Sequence, residues 1–432
     1  MSLKENTGQL FKGFSKLTRN ERFARLCEMG ALSQEDVSYL TNGGLVDINL
    51  ADKLIENVIG YFQLPLGVAT NLNIDDQDYV VPMAVEETSI IAALSKTARF
   101  VRQNGKIVTR VEGDCIIGQI QLANVNNFER FSDIITQNKQ FLIEKANEDI
   151  AASMVKRGGG VRDLKVRKLI APNHKIMAVI HLTMNSCDAM GANIINQVLE
   201  HLKEPIENLT NETVSMCILS NLNDEKLTHV RVEIENVDEQ LGIDIENASI
   251  FAESDPYRAA TSNKGVMNGM DPILIATGND WRAVEAGVHA YASRTGQYQS
   301  ITKWRYKDNL LVGEMIAPIV VGIVGGVTSI HPTAQLCLKM MQIKSSDQLA
   351  RVVGAVGLLQ NLGAIRALCT EGIIQGHMKL HLDNLLIVAG ATDSEVPALK
   401  KKLQKYLSIN KKVSLNKALE FLAEIRNRQF AL

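Results

Sequence analysis

Short amphipathic runs separated by polar breaks set the pattern of this chain from its first helix signals onward. Thr18 with Glu21 and Ser33 with Asp36 each place a hydroxyl three residues ahead of a carboxylate. That spacing satisfies the first free backbone donors of a helix, so two short helices are expected, stopped by Gly30 and by the Gly43-Gly44 pair. The run from Asn49 to Gly60 puts Leu50, Leu54 and Val58 on one face and predicts a third helix. Between Val68 and Met83 apolar residues alternate about the turn Ile74-Asp75-Asp76-Gln77-Asp78, the mark of a hairpin. Pro82 cannot donate to a ladder and places the second strand at an edge. A helix is expected to follow from Glu87 or Thr88.

The middle of the chain changes rhythm. A strand near Ile107 to Leu122 leads into a long amphipathic helix over Asn127 to Lys156, and the break Gly158-Gly159-Gly160 follows. Next come a strand pair about Pro172-Asn173, a helix beginning near Asp188, and strands near Ser215 and Val230. The order β-α-β-β-α-β predicts a split βαβ, ferredoxin-like unit inserted into a larger domain. No GxGxxG follows a strand, so a Rossmann dinucleotide site has no support. Helical sequence runs through Leu358 to Cys369, and a Lys-rich helical tail broken at Gly390-Ala391-Thr392 and Ser408 to Lys412 predicts a small C-terminal unit.

Composition narrows the class. At 432 residues the chain exceeds one ordinary core, and 46% hydrophobic with 22% charged residues is the balance of a globular protein. A formal net charge of -2 gives no electrostatic reason to expect nucleic acid or an anionic membrane as partner. Cys27, Cys115, Cys187, Cys217, Cys337 and Cys369 show neither a CxxC pair nor a regular spacing, which predicts reduced, mostly buried thiols in a cytoplasmic protein. The N-terminus lacks the apolar run of a signal peptide. Met315 to Val327, read as the longest apolar stretch, is shorter than the roughly 20 residues that cross a bilayer, so no membrane anchor is expected.

Candidate chemistry concentrates in Asp255 to Ala286, where Arg258, Lys264, Asn263, Asn268, Asn279 and Asp280 lie among Gly265, Gly269 and Gly278. Such polar density suits an anion-binding, proton-handling site, or a polar surface loop between helices. Glu56 reads either as an exposed helix carboxylate or as a group facing a ligand or partner subunit. Glu86 and Glu87, at a strand-to-helix junction, match a helix dipole or supply a general acid. The small residues of Asp188 to Asn193 either open a helix N-terminus to an anion or allow tight packing on a sheet. The Gly-rich segment Gly322 to Pro332 either cradles a phosphate or forms a close-packed turn. His377 and His381 have a zinc-like spacing but lack the glutamate of HExxH, so no metal is expected.

Taken together, Glu56 to Gly60 (ENVIG), Val85 to Ser89 (VEETS), Asp188 to Asn193 (DAMGAN), Asn263 to Gly269 (NKGVMNG) with Ala276 to Trp281 (ATGNDW), Gly322 to Gly326 (GIVGG) and Gly376 to His381 (GHMKLH) resemble the class II hydroxymethylglutaryl-CoA reductases in order and separation. The resemblance covers nearly the whole chain. It implies a two-hydride, NAD(P)H-dependent interconversion of hydroxymethylglutaryl-CoA and mevalonate plus coenzyme A. It makes Glu87 the proton donor, Lys264 the cation at the reacting carbonyl, Asp280 the carboxylate linking them, and His377 the acid for the departing thiolate. Arg258, Ser89 and Asn268 fall where substrate is held, and Asp188, Met190, Gly191 and Asn193 where the cofactor is held. Thr88 stands where relatives commonly have proline. The implied fold is α/β (α+β): a large mixed domain (1–109 plus 222–375), an inserted ferredoxin-like dinucleotide-binding domain (110–221) and a helical C-terminal flap (376–432). A homodimer, assembled further into a hexamer as a trimer of dimers, is implied as well. NADPH is favoured over NADH, with Asp149 and Ala151 set against Lys156 and Arg157 as the discriminating candidates. Alternatives are the same enzyme run oxidatively on mevalonate, or a lysine Schiff-base enzyme acting on a carbonyl through Lys264.

Overall fold

Both capping boxes form at the positions the spacing predicts. In the computed structural model, which describes residues 11–370, 382, 385–410 and 413–429, Thr18 and Glu21 cap α1 (Arg19–Glu28), and Ser33 and Asp36 cap α2 (Gln34–Thr41) reciprocally. Gly30, Gly43 and Gly44 adopt positive φ where these helices end. The third helix is shorter than its periodicity suggests: α3 covers only Ile48–Ala51, and the chain through Glu56 is irregular. The hairpin forms as β1 (Leu66–Ile74) and β2 (Gln77–Ala84), turned by Asp75 and Asp76 at positive φ, and Pro82 lies in this two-stranded sheet opposite Val68. Helix α4 (Ile90–Asn104) starts later than expected, because Ser89 takes a left-handed φ of 78° that helical backbone cannot have.

The apolar run near Ile107 to Leu122 is two strands in two sheets. Strand β3 (Gly105–Glu112) ends before Gly113, and β4 (Ile116–Leu122) starts a different sheet after Asp114 and Cys115. Gly113 turns at φ +74 against the backbone of Glu225, where a Cβ would collide with the carbonyl oxygen. The long helix expected over Asn127 to Lys156 is three: α5 (Phe128–Gln137), α6 (Lys139–Asp149) and α7 (Ala152–Val155). Asn138 breaks the first junction, folding its amide back onto Ile134 O at 2.8 Å. Strands β5 (Gly160–Ile170) and β6 (Ile176–Asn185) form the pair about Pro172-Asn173, and α8 (Ala192–His201), α9 (Lys203–Thr210) and β7 (Met216–Leu219) complete the unit. Its sheet order is β5-β6-β4-β7, antiparallel throughout, which is the split βαβ arrangement. One face carries the core: Ile120, Leu122, Ile180 and Leu182 from the sheet meet Phe131, Ile135, Leu142, Ile195 and Leu199 from the helices.

The strand near Val230 belongs elsewhere. As β8 (Leu227–Ile234) it pairs with β3 and with β10 (Leu310–Ala317), and β9 (Thr302–Lys307) closes the order β3-β8-β10-β9. Helix α10 (Glu239–Ser254) lies on this sheet so closely that a Cβ on Gly242 would strike the Tyr306 ring. Helices α11 (Pro256–Ala276), α12 (Trp281–Ala292), α13 (Gly326–Ile330), α14 (Pro332–Met340) and α15 (Ser346–Cys369) follow. Among the described residues α15 is long and apolar enough to cross a bilayer, but 67% of its most apolar window is buried inside the protein, so packing accounts for its composition. Burial of the thiols is less complete than expected: Cys115 and Cys337 are buried, and the other four are partly exposed.

The chain divides into two compact units, one of residues 1–86 and 91–363, the other of 87–90 and 364–432. Within the second, α16 (Val396–Asn410) and α17 (Leu415–Gln429) share an apolar core of Leu399, Leu403, Ala418, Leu422 and Ile425 with Leu382, Leu385 and Leu386.

Candidate active site

The glycine-punctuated stretch after Asp255 is a 21-residue helix, not a surface loop. Asp255 caps it, accepting Arg258 N–H at 3.0 Å, and Pro256 opens it. Of its two glycines Gly269 serves packing: it lies against Gln360 and Val356 of α15, leaving no ordinary space for a Cβ, whereas Gly265 faces open space. One face is core, with Ala259, Val266, Met270 and Ile273 buried. Lys264, Asn268 and Asp271 recur at the i, i+4, i+7 spacing of a single stripe. Lys264 is exposed there, and Asn268 and Arg258 are half-buried.

Two residues ahead of that lysine fix the helix. Asn263 is fully buried; its amide donates to Gln299 O at 2.9 Å, and its carbonyl accepts Ile301 N–H at 3.0 Å. Ser262 accepts from the Asn361 amide at 3.1 Å, and Asn361 in turn accepts the Trp304 indole N–H at 2.9 Å and the Thr302 hydroxyl at 3.1 Å. Asn263 is therefore a brace, not one of the ligand-facing amides that its neighbourhood in the sequence suggested. The signal for it was the helical period of Ala259, Ser262, Asn263, Val266 and Met270, which glycines obscure.

Asp280 caps α12, accepting Ala283 N–H at 3.1 Å, and pairs with Arg282 at 3.2 Å. The preceding Asn279 looks inward. Its Oδ1 accepts Gly322 N–H at 2.7 Å and its amide donates to Thr277 at 3.0 Å. Gly322 itself lies against the Asp188–Gly191 loop: a Cβ there would sit 2.5 Å from Met190 N, and Ile323 N–H donates to Asp188 O at 2.9 Å. Gly325 N–H donates to Ser329 Oγ at 2.6 Å. Gly322 is thus close-packed and joins the Asp280 corner to the loop ahead of α8, whereas Gly325 and Gly326 are exposed with open space where a Cβ would stand.

That loop is tightly held. Gly191, at φ +95, leaves no room for a Cβ beside Ile116 and Ser186, and the Asp188 carboxylate accepts Ser346 N–H at 2.8 Å. No side chain caps α8, so its first-turn donors point outward beside Met190 and the exposed Asn193. Met190, Ala192, Ile195, Leu219 and Val320 line a shallow recess at the start of the helix. Asp149, a candidate for cofactor discrimination, is engaged by Lys145 at 3.0 Å and His201 at 2.8 Å; Ala151 is fully buried, and Lys156 and Arg157 are exposed.

Glu87 and Ser89 belong to the second unit, where Glu87 is exposed and Ser89 holds a buried hydroxyl without a hydrogen-bond partner. His377 and His381 lie outside the described residues. Glu56 is exposed. No group of three or more His, Cys, Asp or Glu side chains among the described residues could hold a metal ion. Sequence reasoning overlooked one pair entirely: the Asp271 carboxyl is pushed up to about 8 by burial and by Glu285, to which it is hydrogen-bonded.

A mixed α/β chain with this inserted antiparallel sheet matches solved structures over nearly its full length. Against 3-hydroxy-3-methylglutaryl-coenzyme A reductase from Streptococcus pneumoniae the identity is 38% and the TM-score 0.81, covering 96% of this chain and 99% of the other. The class II enzyme from that organism, bound to NADPH in open conformations, gives a TM-score of 0.80 at 38% identity, covering 83% and 100%. The 3-hydroxy-3-methylglutaryl-coenzyme A reductase of Archaeoglobus fulgidus is 41% identical over 96% of this chain and 94% of its own. A probable reductase of the same name from Borreliella burgdorferi is 33% identical over 77% of each. The profile of hydroxymethylglutaryl-coenzyme A reductase matches residues 18–382. The chain belongs to the hydroxymethylglutaryl-coenzyme A reductase family of NAD(P)H-dependent oxidoreductases.

Proposed function

We propose that the chain reduces hydroxymethylglutaryl-CoA to mevalonate and coenzyme A in two hydride transfers, with NADPH as the donor. The observation that carries this reading is the pairing, in a chain of this family, of a braced helix presenting Lys264 and Asn268 with the Asn279 bond that ties the Asp280 corner to the Asp188–Gly191 loop. The loop suits a dinucleotide: α8 offers uncapped N–H donors at its start, and Gly191 lets the loop pack closely on Ile116 and Ser186. The cofactor supplies the hydride. In this reading Asp188 holds the loop through Ser346, and Met190, Gly191 and Asn193 contact the nucleotide. Asp149 is occupied by Lys145 and His201, which leaves Lys156 and Arg157 as the charged groups nearby in sequence and favours NADPH.

Reducing a thioester to an alcohol develops negative charge twice on one oxygen. Lys264 stabilises it electrostatically both times, Glu87 donates the proton, and Asp280 links the two. His377 protonates the thiolate released when the hemithioacetal collapses. Arg258 anchors the free carboxylate of the substrate, and Ser89 and Asn268 position the acyl chain; the unpartnered, buried Ser89 hydroxyl supports its part. Residues 110–221 act as the nucleotide-binding domain inserted into a substrate domain of 1–109 and 222–375, with 376–432 as the flap. A homodimer, and a hexamer built from it, is supported by Ile55, Ile59 and Phe62, which are 63%, 103% and 92% exposed and need a covering surface. The protein works in the cytoplasm.

The test is absorbance at the nicotinamide band with hydroxymethylglutaryl-CoA, run in parallel with NADPH and NADH. Oxidation of two NADPH per mevalonate formed is expected; no substrate-dependent oxidation of either nucleotide would overturn the reading.

A further inference from the structure

Asp271 and Glu285 have no part in the chemistry described so far. Asp271 shares the stripe of α11 that carries Lys264 and Asn268, and Glu285 lies five residues beyond Asp280 in α12. Their carboxyl groups are hydrogen-bonded to each other across the helix hairpin, and Asp271 Oδ1 is buried with no hydrogen-bond partner. Ionised carboxylates are acceptors only, so a bond between two of them requires a proton on one.

Among the described residues no cation acts on the Asp271 carboxyl in place of that proton. Around α11, the charged groups of the packed elements are engaged elsewhere: Asp78 of β2 with Arg102, Glu246 and Glu253 of α10 with Arg305, and Asp244 with Gln240. Arg282 of α12 pairs with Asp280, and His289 bonds Tyr298. Lys339 of α14 pairs with Asp36, while Arg351 and Asp347 of α15 pair with Asp75 and Lys226. Glu239 sits in the first turn of α10. Among the described residues, Glu285 is the charged group that acts on the Asp271 carboxyl.

We infer that the partly buried Asp271 carboxyl keeps its proton and donates it to Glu285, and that this bond is a positioning element holding the Lys264 helix against the helix that Asp280 caps. Loss of the proton sets two partly buried negative charges against each other across the hairpin. The inference rests on the proposed reading in that Lys264 and Asp280 act together. Burial and Glu285 push the Asp271 carboxyl to about 8, so the proton stays at neutral pH. The folded value lies above the ordinary 3.8, so the associated stability is complete below the ordinary value and is lost as pH rises through about 8.

The experiment compares wild type, Asp271→Asn and Glu285→Gln between about pH 6 and about pH 9.5, reading the melting temperature and kcat, each normalised to its own neutral value. Either amide supplies the missing donor without titrating. Wild-type kcat should fall about tenfold one pH unit above the titration of Asp271, with a parallel fall in melting temperature. Both variants should hold melting profiles flatter than that of wild type, whatever pH dependence the catalytic acids give kcat, and Glu285→Gln decides the question if Asp271→Asn does not fold. Melting profiles in the folded variants that follow wild type would overturn the inference. A wild type inactive on hydroxymethylglutaryl-CoA would sink the reductase reading, while the melting profiles would still report on the pair.

Discussion

Asn263 accepts the Ile301 N–H while donating to Gln299, so one buried side chain joins the turn of α11 that carries Lys264 to the entry of β9. Asn263→Ala leaves a buried donor and a buried acceptor unmatched, at about 1–3 kcal/mol for each. The expected outcome is a lowered melting temperature together with a fall in kcat, because Lys264 loses its fixed direction. Asn263→Asp retains the acceptor and should fall between. A destabilised Asn263→Ala that turns over at the wild-type rate would separate the brace from the lysine.

Lys264 and Arg258 share a helix but have different tasks in the proposed reaction. Lys264→Ala should lower kcat by about 100- to 1,000-fold with little change in melting temperature, since a charge preorganised for a developing oxyanion acts in the transition state. Arg258→Ala should chiefly raise KM for hydroxymethylglutaryl-CoA, as loss of an interaction common to ground and transition states does. Steady-state kinetics on both variants checks the division, and near-normal turnover in Lys264→Ala removes the assignment.

Gly322 leaves no room for a methyl group against Met190 N. Gly322→Ala should displace the loop ahead of α8 and raise KM for NADPH several-fold, with KM for hydroxymethylglutaryl-CoA much less affected. Equal shifts in both constants would place the damage outside the nucleotide loop.

For His377 the discriminating substrate is free mevaldehyde, which has no thiolate to release. His377→Gln should lose about 100-fold or more on hydroxymethylglutaryl-CoA, the range for one general acid, and keep much of its activity on mevaldehyde. His381→Gln should change neither. Equal losses on both substrates would reduce His377 to a structural part.

In the C-terminal unit, Arg426 and the Thr392 N–H hold the Glu395 carboxylate down to about 2, against an ordinary 4.5. A lowered value contributes stability that is complete above the ordinary value and disappears as pH falls toward the folded one. Limited proteolysis of α16 and α17 should therefore be faster for Glu395→Gln than for wild type at neutral pH. The difference should close as pH falls from about 4.5 toward about 2. A pH-independent difference would assign the effect to packing alone.

What the chain disclosed before its structure was local. The capping boxes at Thr18 and Ser33 and the hairpin at Asp75-Asp76 depend on groups within a few residues of one another, and their spacing carries them completely. The long helix after Asp255 was concealed because Gly265 and Gly269 read as loop punctuation, whereas Gly269 answers to Val356 and Gln360 far along the chain. The single strand read over Ile107 to Leu122 fails for a similar reason: apolar alternation continues across Gly113, and only pairing with β8 or with β6 tells one sheet from the other. Of the candidate site, residue types were legible through the resemblance, while their supports were not. Asn263, Asn279 and the Asp271–Glu285 pair make their contacts across the fold; a helical period marks the side of the helix on which Asn263 lies, but no linear spacing marks the partners.

The passage from β3 to β4 at Gly113, matched by the return from β7 to β8, also bears on the order in which the protein can assemble. Glu112 and Leu227 are register partners, yet the whole of the inserted sheet lies between them in sequence. Closing so long a loop from an unstructured chain has a large entropy cost, which falls by about 0.6 kcal/mol with each halving of the flexible length. Once β4 to β7 have condensed on their own core, the flexible length shrinks to two short linkers, and both leave from the same end of the sheet because the start of β4 lies beside the end of its antiparallel neighbour β7. Folding of the insert first would thus deliver β3 and β8 to each other already aligned, making the inserted sheet an internal template for the one that flanks it in sequence.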